Sequence, residues 1–317
     1  MTSTVVPIPS HIPVLVKEVI EGLQVHVDGS YIDCTLGLGG HTEAILKHIL
    51  PGGKLLGIDA DTETFNITRK KLNNYGKAVT LINDNFNNLE DICLKNNFYP
   101  VDGILFDLGV SSWQLDSAKR GFSFRNEAQL DMRFTPEQGP TAAEIINTYT
   151  EKEIAHIIKH YGEERNSRQI ANLIIKNRPI NTTSELARLI KDAIGYRQGR
   201  INPATKTFMA FRIAVNQELE NLRIALDQVV SLLRAKGRLV VISYHSLEDR
   251  IVKQFMKRES RDCICPPEAI VCRCGHTASL KLISKKVIKP SLSEIENNPR
   301  SRSGKMRVAE RLSQDGK

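Results

Sequence analysis

The sequence predicts an α/β protein: a doubly wound, mostly parallel sheet interrupted by an all-helical insertion. Three observations carry this. First, a strand Tyr31-Ile32-Asp33 runs into glycines at 37, 39 and 40, and the next strand, Lys54–Asp59, ends on a carboxylate 22 positions after Gly37. That is the pattern of a nucleotide-binding βαβ unit, in which the acid holds ribose hydroxyls. Second, strands and helices alternate from there to a fourth strand, Val101–Asp107, as a parallel sheet with crossover helices requires. Third, residues 141 to about 200 read as helices only, so they lie outside the alternation. The expected division is 1–115 for the first part of the core, 116–205 for a lid loop plus helical insertion, and 206–317 for the second part with a basic tail.

In order along the chain, residues 1–10 lack a charged stretch followed by an apolar run, so no signal peptide is expected and a cytoplasmic location is. An apolar helix covers Val16–Leu23. The glycine turn opens a helix over about 41–50. Asp61 caps a further helix over about 62–73, and a third strand at 78–82 feeds Asn83-Asp84-Asn85-Phe86. Phe86 is placed either to stack on a ligand base or to fill the core. A helix over 89–96 leads to the fourth strand. Asp33, Asp59, Asp84 and Asp107 then all fall at the carboxyl ends of strands, where such sheets bind ligands.

After Asp107 the pattern changes. Residues 117–140 form a long irregular stretch rich in arginine and phenylalanine, read as a lid or substrate loop rather than a linker. Capping boxes at Thr150-Glu151-Lys152-Glu153 and Thr182-Thr183-Ser184-Glu185 start two of the helices that follow. Arg197, Arg200, Lys206 and Arg212 cluster where the insertion returns to the core, either on phosphate backbone or on a solvated face. Residues 204–233 form a long amphipathic helix or a helix pair, and a fifth strand at 238–244 runs into His245-Ser246-Leu247-Glu248. His245, at a strand end beside serines and a carboxylate, is a candidate catalytic residue. Residues 280–289 offer the last strand material. The stretch Asn298 to Arg307 is basic and poor in apolar residues, and reads as a disordered terminus or an RNA-contacting arm.

With 317 residues, 41% of them hydrophobic, the chain can bury a sizeable core, and no apolar run approaches the ~20 residues of a membrane helix. A net charge of +8 and a pI of about 9.1 suit a polyanionic partner, most simply nucleic acid. Six cysteines in a chain this long do not make a disulfide scaffold. Cys263-x-Cys265 and Cys272-x-Cys274 could hold zinc, but the usual knuckle is C-x-x-C and each pair here is tighter. Free thiols are therefore expected, and no metal site is assigned.

The glycine turn decides between ligands. A dinucleotide fingerprint would need glycine at position 42, which is Thr42. Gly-x-Gly-Gly after a strand ending in Asp is similar to the first motif of S-adenosylmethionine-dependent methyltransferases. Several longer stretches resemble one bacterial family of ribosomal RNA methyltransferases. They are Gly37-Leu38-Gly39-Gly40-His41-Thr42, Asp107-Leu108-Gly109-Val110-Ser111-Ser112, Arg120-Gly121-Phe122-Ser123-Phe124, Leu130-Asp131-Met132-Arg133 and Ser243-Tyr244-His245-Ser246-Leu247-Glu248-Asp249-Arg250. His11-x-Pro13-Val14-Leu15 and Asn298-Pro299-Arg300-Ser301-Arg302-Ser303 extend the resemblance to nearly the full length.

That resemblance implies a class I methyltransferase core with an inserted helical domain. It also implies S-adenosylmethionine as cofactor and 16S rRNA or the small ribosomal subunit as partner. The implied reaction is methylation of the exocyclic N4 of a decoding-centre cytosine, cytosine 1402. Carried over by position, cofactor contacts fall at Gly39, Gly40, His41, Asp59, Phe86, Asp107 and Gln114. His41 either touches the cofactor or caps the helix it begins. An amine whose lone pair is delocalised into the ring needs an acceptor for its hydrogens, and Asp107 at the end of the fourth strand supplies one. DNA amine methyltransferases carry Pro-Pro-aromatic after that position. Leu108-Gly109-Val110 stands here instead, so base positioning falls to Trp113, Phe122, Phe124 or the Tyr244-His245 edge. A dinucleotide oxidoreductase and a non-catalytic RNA-binding protein are the competing readings. Thr42 argues against the first and four strand-end acids beside a glycine turn against the second. The oligomeric state, a homodimer included, is left open.

Overall fold

The computed structural model describes residues 12–116, 120–195, 202–269 and 271–313. The chain divides into two compact units: residues up to Gly109 together with those from Asn221 onward, and Val110–Glu220. The first unit opens with α1 (Val16–Leu23), β1 (Ser30–Asp33), α2 (Gly40–Ile49), β2 (Lys54–Asp59), α3 (Thr62–Leu72), β3 (Val79–Asn83), α4 (Leu89–Lys95) and β4 (Val101–Asp107). The second holds α5 (Ser112–Asp116), α6 (Ala142–Thr148), α7 (Glu151–Gly162), α8 (Ser167–Lys176), α9 (Thr183–Ile194) and α10 (Ala204–Asn216). Then α11 (Glu218–Leu232) leads to β5 (Leu233–Ser243), α12 (Ser246–Glu259), β6 (Leu280–Leu282), α13 (Leu292–Asn297) and β7 (Lys305–Arg311).

The seven strands form one sheet in the order β3-β2-β1-β4-β5-β7-β6. Strands β1 to β5 pair in parallel, and β7 runs antiparallel to both β5 and β6. This is the class I methyltransferase architecture. Because β1 lies between β2 and β4, the strand order reverses there, and the crevice for a ligand opens at the carboxyl ends of β1 and β4. Successive residues of a strand face opposite sides. Ile32, Leu56, Ile104, Phe106 and Val241 therefore pack with α4, α11 and α12, and Tyr31, Leu55, Leu105, Val240 and Ile242 with α1, α2 and α3. Burial on both faces explains why these strands are continuously apolar rather than alternating.

Two expectations are corrected. The stretch Asn298 to Arg307 is not a disordered terminus. Pro299–Ser303 form a 3-10 turn, and β7 then enters the sheet between β5 and β6. Met306, Val308 and Ala309 are buried against β5, with Val308 opposite Val240 and Met306 opposite Ile242. The basic residue between them, Arg307, makes a bidentate pair with Asp249 of α12 at 2.7 and 3.2 Å. A strand whose polar positions have partners does not advertise itself in composition.

The second correction concerns the boundary at 205. Helix α10 belongs with the insertion, because Phe208, Ala210, Phe211 and Val215 pack into its core with Ile146, Ile158, Ile174 and Leu186. The predicted 204–233 stretch is a helix pair, broken at Gln217 in the left-handed region (φ 50°). Both expected capping boxes are present, and Thr141–Glu144 forms a third.

The stretch expected to be a lid is tied into the helical unit. Phe122, Leu130 and Met132 are buried, Phe122 stacks on Phe134 with centroids 5.6 Å apart, and Arg133 clamps Asp131 at 2.8 and 2.9 Å. Of the predicted basic cluster, Arg212 pairs with Glu218 at 2.7 and 2.9 Å and Lys206 donates to the Glu163 carbonyl at 3.1 Å. Arg197, Arg200 and His11 lie outside the described residues. No helix among the described residues is long and apolar enough to cross a membrane.

Candidate active site at the carboxyl edge of the sheet

The turn after β1 is held by its own neighbours. Gly37 sits at φ 50° and Gly39 at φ 74°, conformations that only glycine adopts without strain. The Gly37 N–H donates to Asp59 Oδ2 at 2.7 Å, and Thr68 Oγ1 donates to the Gly37 carbonyl at 2.6 Å. A Cβ added at Gly37 would meet only the Thr35 carbonyl, at 3.8 Å, so the turn presents an open, side-chain-free surface there. Gly39 and Gly40 are required for a different reason. A Cβ would come 2.8 Å from Thr68 Cγ2 at the first and 2.6 Å from Pro13 Cγ at the second. Gly39→Ala should therefore lower unfolding free energy by about 1–3 kcal/mol, from backbone strain plus overpacking. Denaturant titration checks this; an unchanged midpoint would show that the turn relaxes freely.

The strand-end acids divide into distinct roles. Asp33, fully buried at the end of β1, accepts from Thr42 Oγ1 at 2.7 Å and from the Thr35 N–H at 3.1 Å, and burial raises its pKa. Asp59 receives the Gly37 N–H on one oxygen and the Asp61 N–H on the other, at 2.7 and 2.8 Å. Burial nevertheless pushes its carboxyl up to about 7, against those two donors. Each oxygen keeps a second lone pair for a ligand hydroxyl. Asp84 closes its own turn, accepting from the Asn85 N–H at 2.7 Å and from Asn88 Nδ2 at 3.0 Å.

Asp107 is the centre of the arrangement. Its N–H donates to Thr35 Oγ1 at 2.6 Å, which ties the end of β4 to the end of β1. The Tyr244 hydroxyl donates to Asp107 Oδ1 at 2.8 Å. Burial, reinforced by the Asp107 charge, raises the Tyr244 pKa well above its usual 10, so this hydroxyl stays a donor at any working pH. On the other side, His41 Nε2 lies 3.4 Å from Asp107 Oδ2. Burial works against the imidazolium, but Asp107 and Asp33 more than offset it, and the His41 pKa is raised. Both His41 ring nitrogens are buried, and Nε2 faces Asp107 without a well-aligned hydrogen bond. Among the residues that the sequence offered for base positioning, Tyr244 is the one bonded to Asp107; it stands one residue past β5.

His245, by contrast, is engaged in a helix cap. Its Nδ1 accepts from the Glu248 N–H at 3.4 Å, its Nε2 lies 3.1 Å from Glu248 Oε1, and Glu248 Oε2 in turn accepts the backbone N–H groups of Tyr244 and His245. This capping box starts α12 and aims the preceding residue, Tyr244, at Asp107. Phe86 is partly buried and packs edge-on against Phe106 with centroids 5.7 Å apart. Gln114 belongs to the helical unit, where its side chain accepts the Ser111 N–H at 2.8 Å. Next to Tyr244, a cleft of about 200 Å³ is lined by His245, Ser246, Lys289, Arg302, Ser303 and Lys305 among others.

The MraW methylase family matches residues 9–312. A ribosomal RNA small subunit methyltransferase H of Dehalococcoides mccartyi is 57% identical over 306 residues, covering 96% of this chain and 88% of that protein. The protein of the same description from Halothermothrix orenii is 48% identical over 307 residues, covering 95% of this chain and 98% of its own. One from Clostridium botulinum is 46% identical over 306 residues, covering 95% and 99%. A full-length match of this strength, on a chain whose glycine turn and strand-end acids form one edge of the sheet, identifies it: the protein belongs to the MraW methylase family.

Proposed function

We propose that this protein transfers a methyl group from S-adenosylmethionine to the exocyclic N4 of a decoding-centre cytosine, cytosine 1402, in the 16S rRNA of the small ribosomal subunit. The observation that carries the reading is the carboxylate of Asp107, held from one side by the Tyr244 hydroxyl and from the other by His41, beside an open glycine turn.

The residues present fit the cofactor. The bare surface at Gly37 takes its amino-acid end, Asp59 accepts the ribose hydroxyls, and the Asp84 to Phe86 stretch borders the base. When bound, S-adenosylmethionine would supply a methyl on a sulfonium, with the neutral thioether S-adenosylhomocysteine as the leaving group. Asp107 accepts a hydrogen of the cytosine amine, which localises the nitrogen lone pair, and takes the proton that the methylated amine loses. Tyr244 holds the carboxylate in one orientation, and the His41 ring faces its other oxygen. The basic cleft beside Tyr244, with Lys289, Arg302 and Lys305, suits the phosphates flanking a base splayed out toward the sheet edge.

A pH dependence follows from Asp59. A folded-state pKa of about 7, above the unfolded carboxylate value of about 3.9, adds stability fully below ~4 that is lost as pH rises through 7. The ionised Asp59 is also the better acceptor for ribose hydroxyls. Stabilisation by S-adenosylhomocysteine in a thermal melt should therefore be larger at pH 8 than at pH 6, and Asp59→Asn should flatten the difference. A ligand shift independent of pH in the wild type would remove Asp59 from the cofactor site.

The deciding experiment is transfer of labelled methyl groups to small-subunit particles and to naked 16S rRNA, followed by nucleoside analysis of the product. N4-methylcytidine at one position is the expected result. A product methylated on cytosine carbon or on ribose would overturn the N4 assignment.

A further inference from the structure

Outside the candidate active site, one cluster of metal-ligating side chains stands out. Cys263, Cys265, Cys272 and Cys274 lie in the connection between α12 and β6, and their four sulfurs all fall within 4.8 Å of one another. We propose that these four thiolates bind a single tetrahedral zinc ion that organises this connection.

The separations argue for one ion. Ligands about 2.3 Å from a common centre, at tetrahedral angles, stand about 3.8 Å apart. The pairs here are Cys263–Cys272 at 3.4 Å, Cys272–Cys274 at 3.6 Å, Cys263–Cys274 at 3.8 Å and Cys265–Cys272 at 4.0 Å. A disulfide would bring two of them to about 2.05 Å, and all four are free thiols. An iron–sulfur cluster spreads its thiolates over two or more metals and so holds them further apart. The all-sulfur donor set selects zinc or iron over calcium or magnesium.

Backbone geometry supplies the surrounding support. The Ile264 N–H points to Cys274 Sγ at 3.5 Å, the Cys265 N–H to Cys263 Sγ at 3.4 Å and the Arg273 N–H to Cys265 Sγ at 3.4 Å. Such N–H···S contacts stabilise thiolates and fix their direction. The tight C-x-C spacing, which read as unfavourable in the sequence, proves compatible. Each pair delivers both of its sulfurs to the common cluster.

The segment also needs such a centre. No described residue from Arg261 to Ser279 lies in a helix or strand, and its large apolar side chains face solvent: Ile264 is 44% and Val271 65% exposed. A stretch of that length without a core of its own is uncommon. Its ends are anchored, His276 Nε2 on the Arg258 carbonyl at 3.0 Å and the Ser279 N–H on the Glu259 carbonyl at 2.8 Å, which leaves its middle to the four sulfurs. An ion there would do what apolar burial does elsewhere, and would secure the short edge strand β6 that follows.

Elemental analysis of full-length protein purified without chelator is the test. About one zinc per chain is expected in the wild type and less than about a tenth of that in a variant with all four cysteines replaced by serine. Titration of reduced, metal-free wild type with cobalt(II) should produce the thiolate charge-transfer and tetrahedral d–d absorption, and Cys272→Ser should weaken both. Cobalt spectra need no variant to fold, so they stand even where the fourfold replacement is insoluble. Wild type with no bound zinc and no cobalt spectrum would overturn the proposal. So would zinc retained at one per chain in the fourfold variant.

Discussion

Replacing Asp107 with alanine is expected to reduce methyl transfer by about 10²–10⁴-fold, the range for a positioned proton acceptor, while S-adenosylhomocysteine still binds. The carboxylate is aligned by two side chains from different elements, Tyr244 after β5 and His41 at the start of α2. Alanine removes the acceptor and strands both partners, so some loss of stability accompanies the loss of rate. Asp107→Asn separates the two effects. Its amide oxygen still accepts from Tyr244, but it neither takes a proton nor balances His41. Tyr244→Phe loosens the carboxylate without removing it and should cost about tenfold, the worth of one hydrogen bond of roughly 1.4 kcal/mol. Single-turnover transfer of labelled methyl, alongside calorimetry of cofactor binding, measures each. Near-normal turnover in Asp107→Asn would show that the amine loses its proton to some other group.

The largest structural effect is expected from the end of the chain. Ending the protein at Gly304 removes β7, which pairs with β5 from Arg238 to Ser243 and with β6. The interior edge of a seven-stranded sheet would then face solvent, with β6 detached from its partner β7. Such a chain should be recovered unfolded or aggregated. A gentler probe is Val308→Asp. Val308 is 2% exposed and packs between Val240 and the α1 face, so an unpaired carboxylate there should cost at least about 4 kcal/mol of the ~5–15 kcal/mol total. If the tail were a loose terminus outside the core, both proteins would melt like the wild type. Thermal unfolding and size-exclusion chromatography distinguish the two outcomes.

The core was legible because its signals are local. A strand ending in Asp33, glycines at fixed offsets and Asp59 on the next strand obey backbone rules that act within some thirty residues, and the alternation up to Asp107 does the same. The capping boxes at Thr150 and Thr182 were legible for the same reason: a hydroxyl and a carboxylate three positions apart close on one another without help from the rest of the chain. What stayed hidden depends on distant partners. Residues 305–311 look polar because the pairing of Arg307 with Asp249, 58 positions away in sequence, cannot be seen in composition. The four cysteines looked ill-spaced for a metal because the convergence of their sulfurs depends on the fold of the connection between the two pairs.

The same distinction runs through the candidate site. By itself the sequence determined that a glycine turn, strand-end acids and a fifth strand running into Tyr244 and His245 would share one edge of a parallel sheet, since chain direction alone places carboxyl ends together. Tertiary structure decided which of two adjacent residues bonds to Asp107. His245 caps α12 through Glu248, a bond made within one helical turn. Tyr244 crosses 137 positions of sequence to reach Asp107. Only the packed sheet brings those two side chains within 2.8 Å.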